Sequence, residues 1–179
     1  MPKVIYLTGA PAAGKSSTLR LVSERIDIAL WEYGAKLTEH CQQRSREIAS
    51  QDDLRAQSSA LVTPEDIQEM DRQLLHYVAE HRSHRHVIID SHPVTKETYG
   101  YRVTAFSQDQ ITRLNPDEIW VLYADPYVTR GRVEADAGGR PLPTDEEART
   151  HTQTQISVAT TYGIMVGCPV YMFDTDNPQ

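Results

Sequence analysis

An α/β fold with a five-stranded parallel sheet flanked by helices is predicted by three features of the chain. Five short apolar runs alternate with stretches that carry apolar residues at helical spacing, the signature of strand, crossover helix and parallel strand. The first run, Val4 to Leu7, leads straight into Gly9-Ala10-Pro11-Ala12-Ala13-Gly14-Lys15-Ser16. The run Val87-Ile88-Ile89-Asp90 is apolar until it ends in a carboxylate, as a central strand does when its C-terminal edge faces a site.

The elements follow in order. Ser17 to Ile26 predicts a helix with Leu19, Val22 and Ile26 on one face, and Ile26 to Trp31 a second strand. Gly34 opens a helix in which Leu37, Cys41 and Ile48 recur at helical spacing, whereas Gln51 to Ser59 is polar and irregular. Thr63 caps the next helix with Pro64 in its first turn, and Ile67, Met70, Leu74 and Val78 form its buried stripe. The turn Asn115-Pro116-Asp117 precedes a strand from Ile119 to Tyr123, and Asp125-Pro126 leads into a helix over Tyr127 to Ala135. Gly138, Gly139, Pro141 and Pro143 then break the chain into a flap. Thr144 and Glu147 make a capping box for a long helix carrying Ala148, Ile156 and Ala159 inward, before a last strand over Pro169 to Phe173.

Composition narrows the function. A chain of 179 residues with 39% hydrophobic content suits one domain over 1–179. The formal net charge of -7 lacks the basic footprint of a general nucleic-acid binder. Cys41 and Cys168 form no C-x-x-C pair, which argues against a zinc knuckle or disulfide framework and fits a reducing, cytoplasmic setting. No apolar stretch approaches membrane-spanning length, so no membrane partner is expected. His81, His84 and His86 lack carboxylate or cysteine company for a metal site.

The segment from Gly9 to Ser16 is a full G-x-x-x-x-G-K-[ST] phosphate-binding loop in its required setting of strand, loop and helix. Glycines at both ends let backbone N–H groups curl toward phosphate oxygens, and the following helix presents its positive end. A nucleoside triphosphate is therefore the expected ligand. Gly9, Ala12, Ala13, Gly14, Lys15, Ser16 and Ser17 would cradle ATP, with Lys15 on the outer phosphates and Ser16 on Mg²⁺. Asp90 would hold Mg²⁺ through water as a hard oxygen ligand, a helix cap being its plainer role. A GTPase switch is disfavoured because no Asn-Lys-x-Asp follows the later strands.

The ordered set of Thr8 to Ser16, Tyr33-Gly34, Val87 to His92, Gly100-Tyr101, Leu114-Asn115-Pro116-Asp117, Arg130 with Arg140, Tyr162-Gly163 and Gly167 resembles the adenylate kinases, above all their archaeal type. The resemblance implies the nucleoside monophosphate kinase fold with sheet order 2-3-1-4-5, and the reaction ATP + NMP ⇌ ADP + NDP. It further implies a monophosphate-binding segment over 34–83 and a lid over 130–144. Gly34, Lys36, Arg55 and Arg102 fall on the acceptor side, with Arg55 the first choice to clamp the acceptor phosphate. His92 lines the site, and Arg130 also lies against the ATP base.

Phosphoryl transfer needs in-line positioning, charge neutralisation and exclusion of water. Closing Ala135 to Pro143 would bring Arg130, Arg132 and Arg140 toward the transferring group. Arg132 and Arg55 have solvated helix faces as their ordinary alternative. Two departures from the archaeal pattern stand out: Gly138-Gly139-Arg140-Pro141 replaces a paired arginine motif, and Ile156 replaces an arginine. Two other readings stay open, a P-loop kinase of another small molecule and a nucleotide-dependent assembly factor with weak ATPase activity. The base of either nucleotide and the oligomeric state, a homo-oligomer included, are not encoded in these motifs.

Overall fold

The computed structural model describes residues 1–44, 61–136 and 141–176. Seven strands occur among them: β1 (Val4–Gly9), β2 (Ile28–Glu32), β3 (His86–Asp90), β4 (Val94–Glu97), β5 (Gly100–Val103), β6 (Glu118–Tyr123) and β7 (Val170–Asp174). Five of them build one parallel sheet in the order β2-β3-β1-β6-β7. Counted along the chain within that sheet, the order is 2-3-1-4-5.

Six helices accompany them: α1 (Lys15–Ser23), α2 (Tyr33–Arg44), α3 (Pro64–His81), α4 (Gln108–Leu114), α5 (Pro126–Ala135) and α6 (Asp145–Val166). Successive strand residues face opposite sides of a sheet, and the core divides accordingly. Val4, Tyr6, Ala29, Trp31, Val87, Ile89, Ile119 and Val121 pack with Leu74 and Val78 of α3, Ile111 and Leu114 of α4, and Ala159 and Tyr162 of α6. The alternate residues Ile5, Leu7, Ile88 and Leu122 pack with Ala13 and Leu19. Wholly buried aliphatic chains such as Leu74 each contribute about 1.5–3 kcal/mol.

Capping sets the helix starts. Thr63 and Asp66 form a capping box on α3 with proline at the first turn, and Thr144 and Glu147 form another on α6. Asp125 accepts from the Tyr127 amide at 2.8 Å to start α5.

Several sequence expectations need correction. Helix α1 ends at Ser23, so Ile26 lies beyond it, 48% exposed, and the second strand begins only at Ile28. The last strand runs Val170–Asp174 rather than from Pro169. The antiparallel hairpin β4–β5 and the short helix α4, capped by Ser107, had no counterpart in the sequence reading. Four-residue strands carry too little alternation to announce themselves, and Gly100 turns the hairpin at a φ of +136°.

The first glycine of the phosphate loop is fixed by close approach. A Cβ at Gly9 would lie 2.6 Å from the Leu122 carbonyl oxygen on β6 and 3.3 Å from Ala13 Cβ. Gly9→Ala therefore has to push backbone apart, and we expect a loss of about 1–3 kcal/mol. Thermal melting checks this, and an unchanged Tm would show that the two strands give way freely.

Candidate active site

Strand β1 delivers the chain to the sheet's C-terminal edge, where the loop reverses tightly. Ala13 N donates to Ala10 O at 3.1 Å, Ala12 takes a φ of +61°, and Gly14 takes +85° as the residue that opens α1. Positive φ comes without steric cost only for glycine, so Ala12 is held in a conformation its Cβ disfavours. Lys15 follows at once, with Ser16 and Ser17 exposed on the first turn of α1.

Register brings the second strand end alongside. Leu7 pairs with Asp90, and Lys15 Nζ lies 3.9 Å from Asp90 Oδ1, both side chains about 15% exposed. The loop is braced from two further sides. Arg132 Nη1 donates to Ala12 O at 3.2 Å and to Thr175 Oγ1 at 3.1 Å, while its Nη2 donates to Thr175 O. Thr175 Oγ1 lies 3.0 Å from Tyr123 O and 3.2 Å from Ala13 O. From below, the fully buried Gln155 donates through Nε2 to Thr8 Oγ1 and Gly9 O, each at 3.3 Å.

Beyond Asp90 the chain enters a cavity of about 520 Å³. Its walls come from Tyr33, Gly34 and Leu37 of α2, the first turns of α3, the residues Ser91 to Pro93, and Arg102 on the hairpin. Phe106 and Tyr162 line it as well, and Phe106 stands 5.8 Å from the Tyr33 ring and 6.0 Å from Tyr162. Asp71 faces the same space and accepts from the Tyr33 hydroxyl at 2.8 Å. Burial pushes the Asp71 carboxyl up from the usual carboxylate range, and the Tyr33 hydrogen bond acts against that rise. The Tyr33 phenol is raised far above its ordinary value by burial and by Asp71, so it stays a donor.

Of the residues expected on the acceptor side, Gly34, His92 and Arg102 meet around this cavity. Arg102 Nε is held by Glu97 at 3.0 Å. Lys36 is exposed on α2 and pairs with Glu39 at 3.0 Å. Arg132 is placed against the phosphate loop and Thr175. Arg130, on the same helix, donates to Asp145 at 2.8 Å across the start of α6. Arg55 and Arg140 lie outside the described residues.

Sequence reasoning missed Gln155, Thr175, His151 and the Tyr33–Asp71 pair. His151 is buried on α6 against the hairpin, with Nε2 3.1 Å from Val94 O and its ring 5.3 Å from that of Tyr101. Burial lowers its pKa, the Val94 contact opposes this, and Lys15 and Lys96 add to the depression, which keeps the ring neutral. The one signal available beforehand was helical register: Gln155 and His151 stand one turn apart on the inner face of α6.

The matched relatives can be set against this geometry. The family described as AAA domain (AAA_17) matches residues 8–150, from the end of β1 into α6. The chain belongs to that family. This AAA domain is similar to the adenylate kinase of Methanococcus vannielii, 22% identical over 182 residues covering 97% of this chain and 90% of the relative. It is likewise similar to the adenylate kinase of Pyrococcus horikoshii, 26% identical over 168 residues covering 92% and 82%. In fold it resembles a putative kinase from Chloroflexus aurantiacus, with a TM-score of 0.57 and 16% identity over 97% of this chain and 85% of that one. The shikimate kinase from Bacteroides thetaiotaomicron gives a TM-score of 0.54 at 17% identity, over 95% and 86%. The chain thus shares its fold with kinases of known structure, and its relatives named adenylate kinase support a nucleotide-binding loop and a phosphotransferase. No described helix is long and apolar enough to cross a membrane.

A latch between α2 and α3 adjoins the cavity at Thr63. Asp66, 2% exposed, receives His40 at 2.9 Å, Arg44, and the Thr63 amide at 3.0 Å. Burial alone would raise its pKa, but the bonds from Thr63, His40 and Arg44 outweigh it and bring it to about 2. A carboxylate depressed in the folded state adds stability above its unfolded value near 4, and that stability is lost as pH falls from about 4 to about 2. The contribution is on the order of 2 kcal/mol. Asp66→Asn should flatten the decline of Tm in that window, and an identical acid profile would remove Asp66 from the account.

Proposed function

We propose that the chain is a nucleoside monophosphate kinase of adenylate kinase type, moving the ATP γ-phosphoryl group to a nucleoside monophosphate with Mg²⁺. One observation carries the reading: adjacent residues at the end of β3 serve two sites. Asp90 stands beside Lys15 of the phosphate loop, while Ser91 and His92 line the 520 Å³ cavity. A phosphate loop and a cavity on either side of one strand end support a reading in which donor and acceptor are brought together for in-line transfer.

In this reading Gly9, Ala12, Ala13, Gly14, Ser16 and Ser17 present backbone and hydroxyl groups to ATP, and Lys15 compensates charge on its outer phosphates. Ser16 and Asp90 offer hard oxygen atoms to Mg²⁺, and among the described residues no group of three or more His, Cys, Asp or Glu forms an all-protein cage. That donor set suits an ion that keeps waters and takes the rest of its ligands from substrate phosphates. Held by Ser16 and Asp90, Mg²⁺ would supply positive charge to offset that of the triphosphate.

Gly34, His92, Arg102 and Arg55 serve the acceptor, with an arginine fork on its phosphate. Arg130 and Arg140 act from the lid, closing over the transferring group and shutting out water. Arg132 supports transfer indirectly, since its grip on Ala12 and Thr175 fixes the loop that Lys15 leaves.

A coupled assay with ATP, Mg²⁺ and each common nucleoside monophosphate tests the assignment: acceptor-dependent ADP formation is expected, and indifference to every monophosphate would sink it. Lys15→Ala should abolish turnover while leaving the melting temperature of the nucleotide-free protein within a degree or two. Arg140→Ala should lower kcat far more than it raises KM for ATP, the signature of a contact made in the transition state. An unchanged kcat would return Arg140 to ordinary surface.

A further inference from the structure

Asp71 is the one carboxylate among the described residues that line the acceptor cavity, and nothing in the phosphate-loop chemistry uses it. Its position is built rather than incidental. Gln110 Nε2 donates to the Asp71 main-chain oxygen at 2.9 Å, fixing the backbone, and the Tyr33 hydroxyl fixes the side chain through Oδ1. The Tyr33 ring is in turn set by its edge contact with Phe106. The wall of the same cavity carries the aromatic and apolar side chains of Tyr33, Phe106, Tyr162, Leu37 and Ile67. Such a wall takes an aromatic base by stacking and excludes competing water.

A carboxylate in that setting accepts hydrogen bonds and, when ionised, donates none. Burial raises the Asp71 carboxyl, and the bond from Tyr33 acts against that rise because a phenol that keeps its proton stabilises the charged partner. The ligand edge that matches it must therefore offer N–H donors side by side. Guanine does so through N1–H and its 2-amino group. Adenine sets the N1 lone pair against the carboxylate, and cytosine does the same with N3. Uracil offers a single N–H between two carbonyl oxygens.

We propose that the acceptor is a guanine nucleoside monophosphate, recognised by the Asp71 carboxylate that Tyr33 holds in place. This rests on the nucleoside monophosphate reading above and names the specificity residue of the same site.

The test uses the intact protein with ATP, Mg²⁺ and a ladder of acceptors. With wild type, kcat/KM should fall from GMP to IMP, which lacks the 2-amino group, and fall again to AMP, by about 100-fold overall, because a site built around polar groups rejects analogues that leave them unpaired. Asp71→Asn keeps the shape, turns an amide donor toward the cavity and should shrink the GMP to AMP ratio by about 100-fold. The IMP step needs no variant and stands if Asp71→Asn folds poorly. Phosphorylation in which AMP, CMP or UMP equals or exceeds GMP, or a ratio that Asp71→Asn leaves unchanged, overturns the guanine assignment while the kinase reading survives. Absence of both phosphorylation and thermal stabilisation with every monophosphate overturns the two together.

Discussion

Everything in the site depends on how β1 is paired. Parallel partners on both sides, β3 and β6, force all three strands to end at one edge, and the register is specific: Leu7 opposite Asp90, Gly9 opposite Leu122. From that edge the chain has nowhere to go but into a tight reversal, which presents backbone amides outward and starts α1 with its positive end toward the same space. Had the strands slipped by one residue, inward and outward side chains would exchange, and Asp90 would leave the vicinity of Lys15.

The hairpin ties the cavity wall to α6. Tyr101 donates its hydroxyl proton to Glu147 O at 2.7 Å, and Lys96 pairs with Glu147 at 3.0 Å while standing 5.0 Å from the Tyr101 ring centre. His151 reaches back to Val94. Exposed ion pairs of this kind are individually weak. Their value here is geometric, since they dock β4–β5 on the first turns of α6, with Arg102 on the cavity side.

Much of this was legible beforehand, and the reason is periodicity. The phosphate loop, the apolar run ending at Asp90 and the two capping boxes at Thr63 and Thr144 are local patterns, and each appears where its residues place it. Contacts across long sequence separations left no such mark. Arg132 and Thr175 are 43 residues apart, and Gln155 lies 146 residues from Gly9. Asp71 carries no sequence mark that sets it apart from the other polar residues of an amphipathic helix, and only the packing of α2 against α3 makes it part of a cavity wall. The end of α1 was misjudged at Ile26 because an isolated apolar residue fits helix and strand periodicity alike, and its exposure shows that it serves neither face.

The left-handed Ala12 has a consequence for natural variation. Its conformation is held from outside by Arg132 on its carbonyl, against a preference of roughly 1–2 kcal/mol for the right-handed form. Glycine would relieve that tension, whereas valine, isoleucine or threonine would add a second branch where even one methyl is crowded. Drift at this position is therefore confined to the smallest side chains, and a bulkier residue there would have to reshape the turn between β1 and α1.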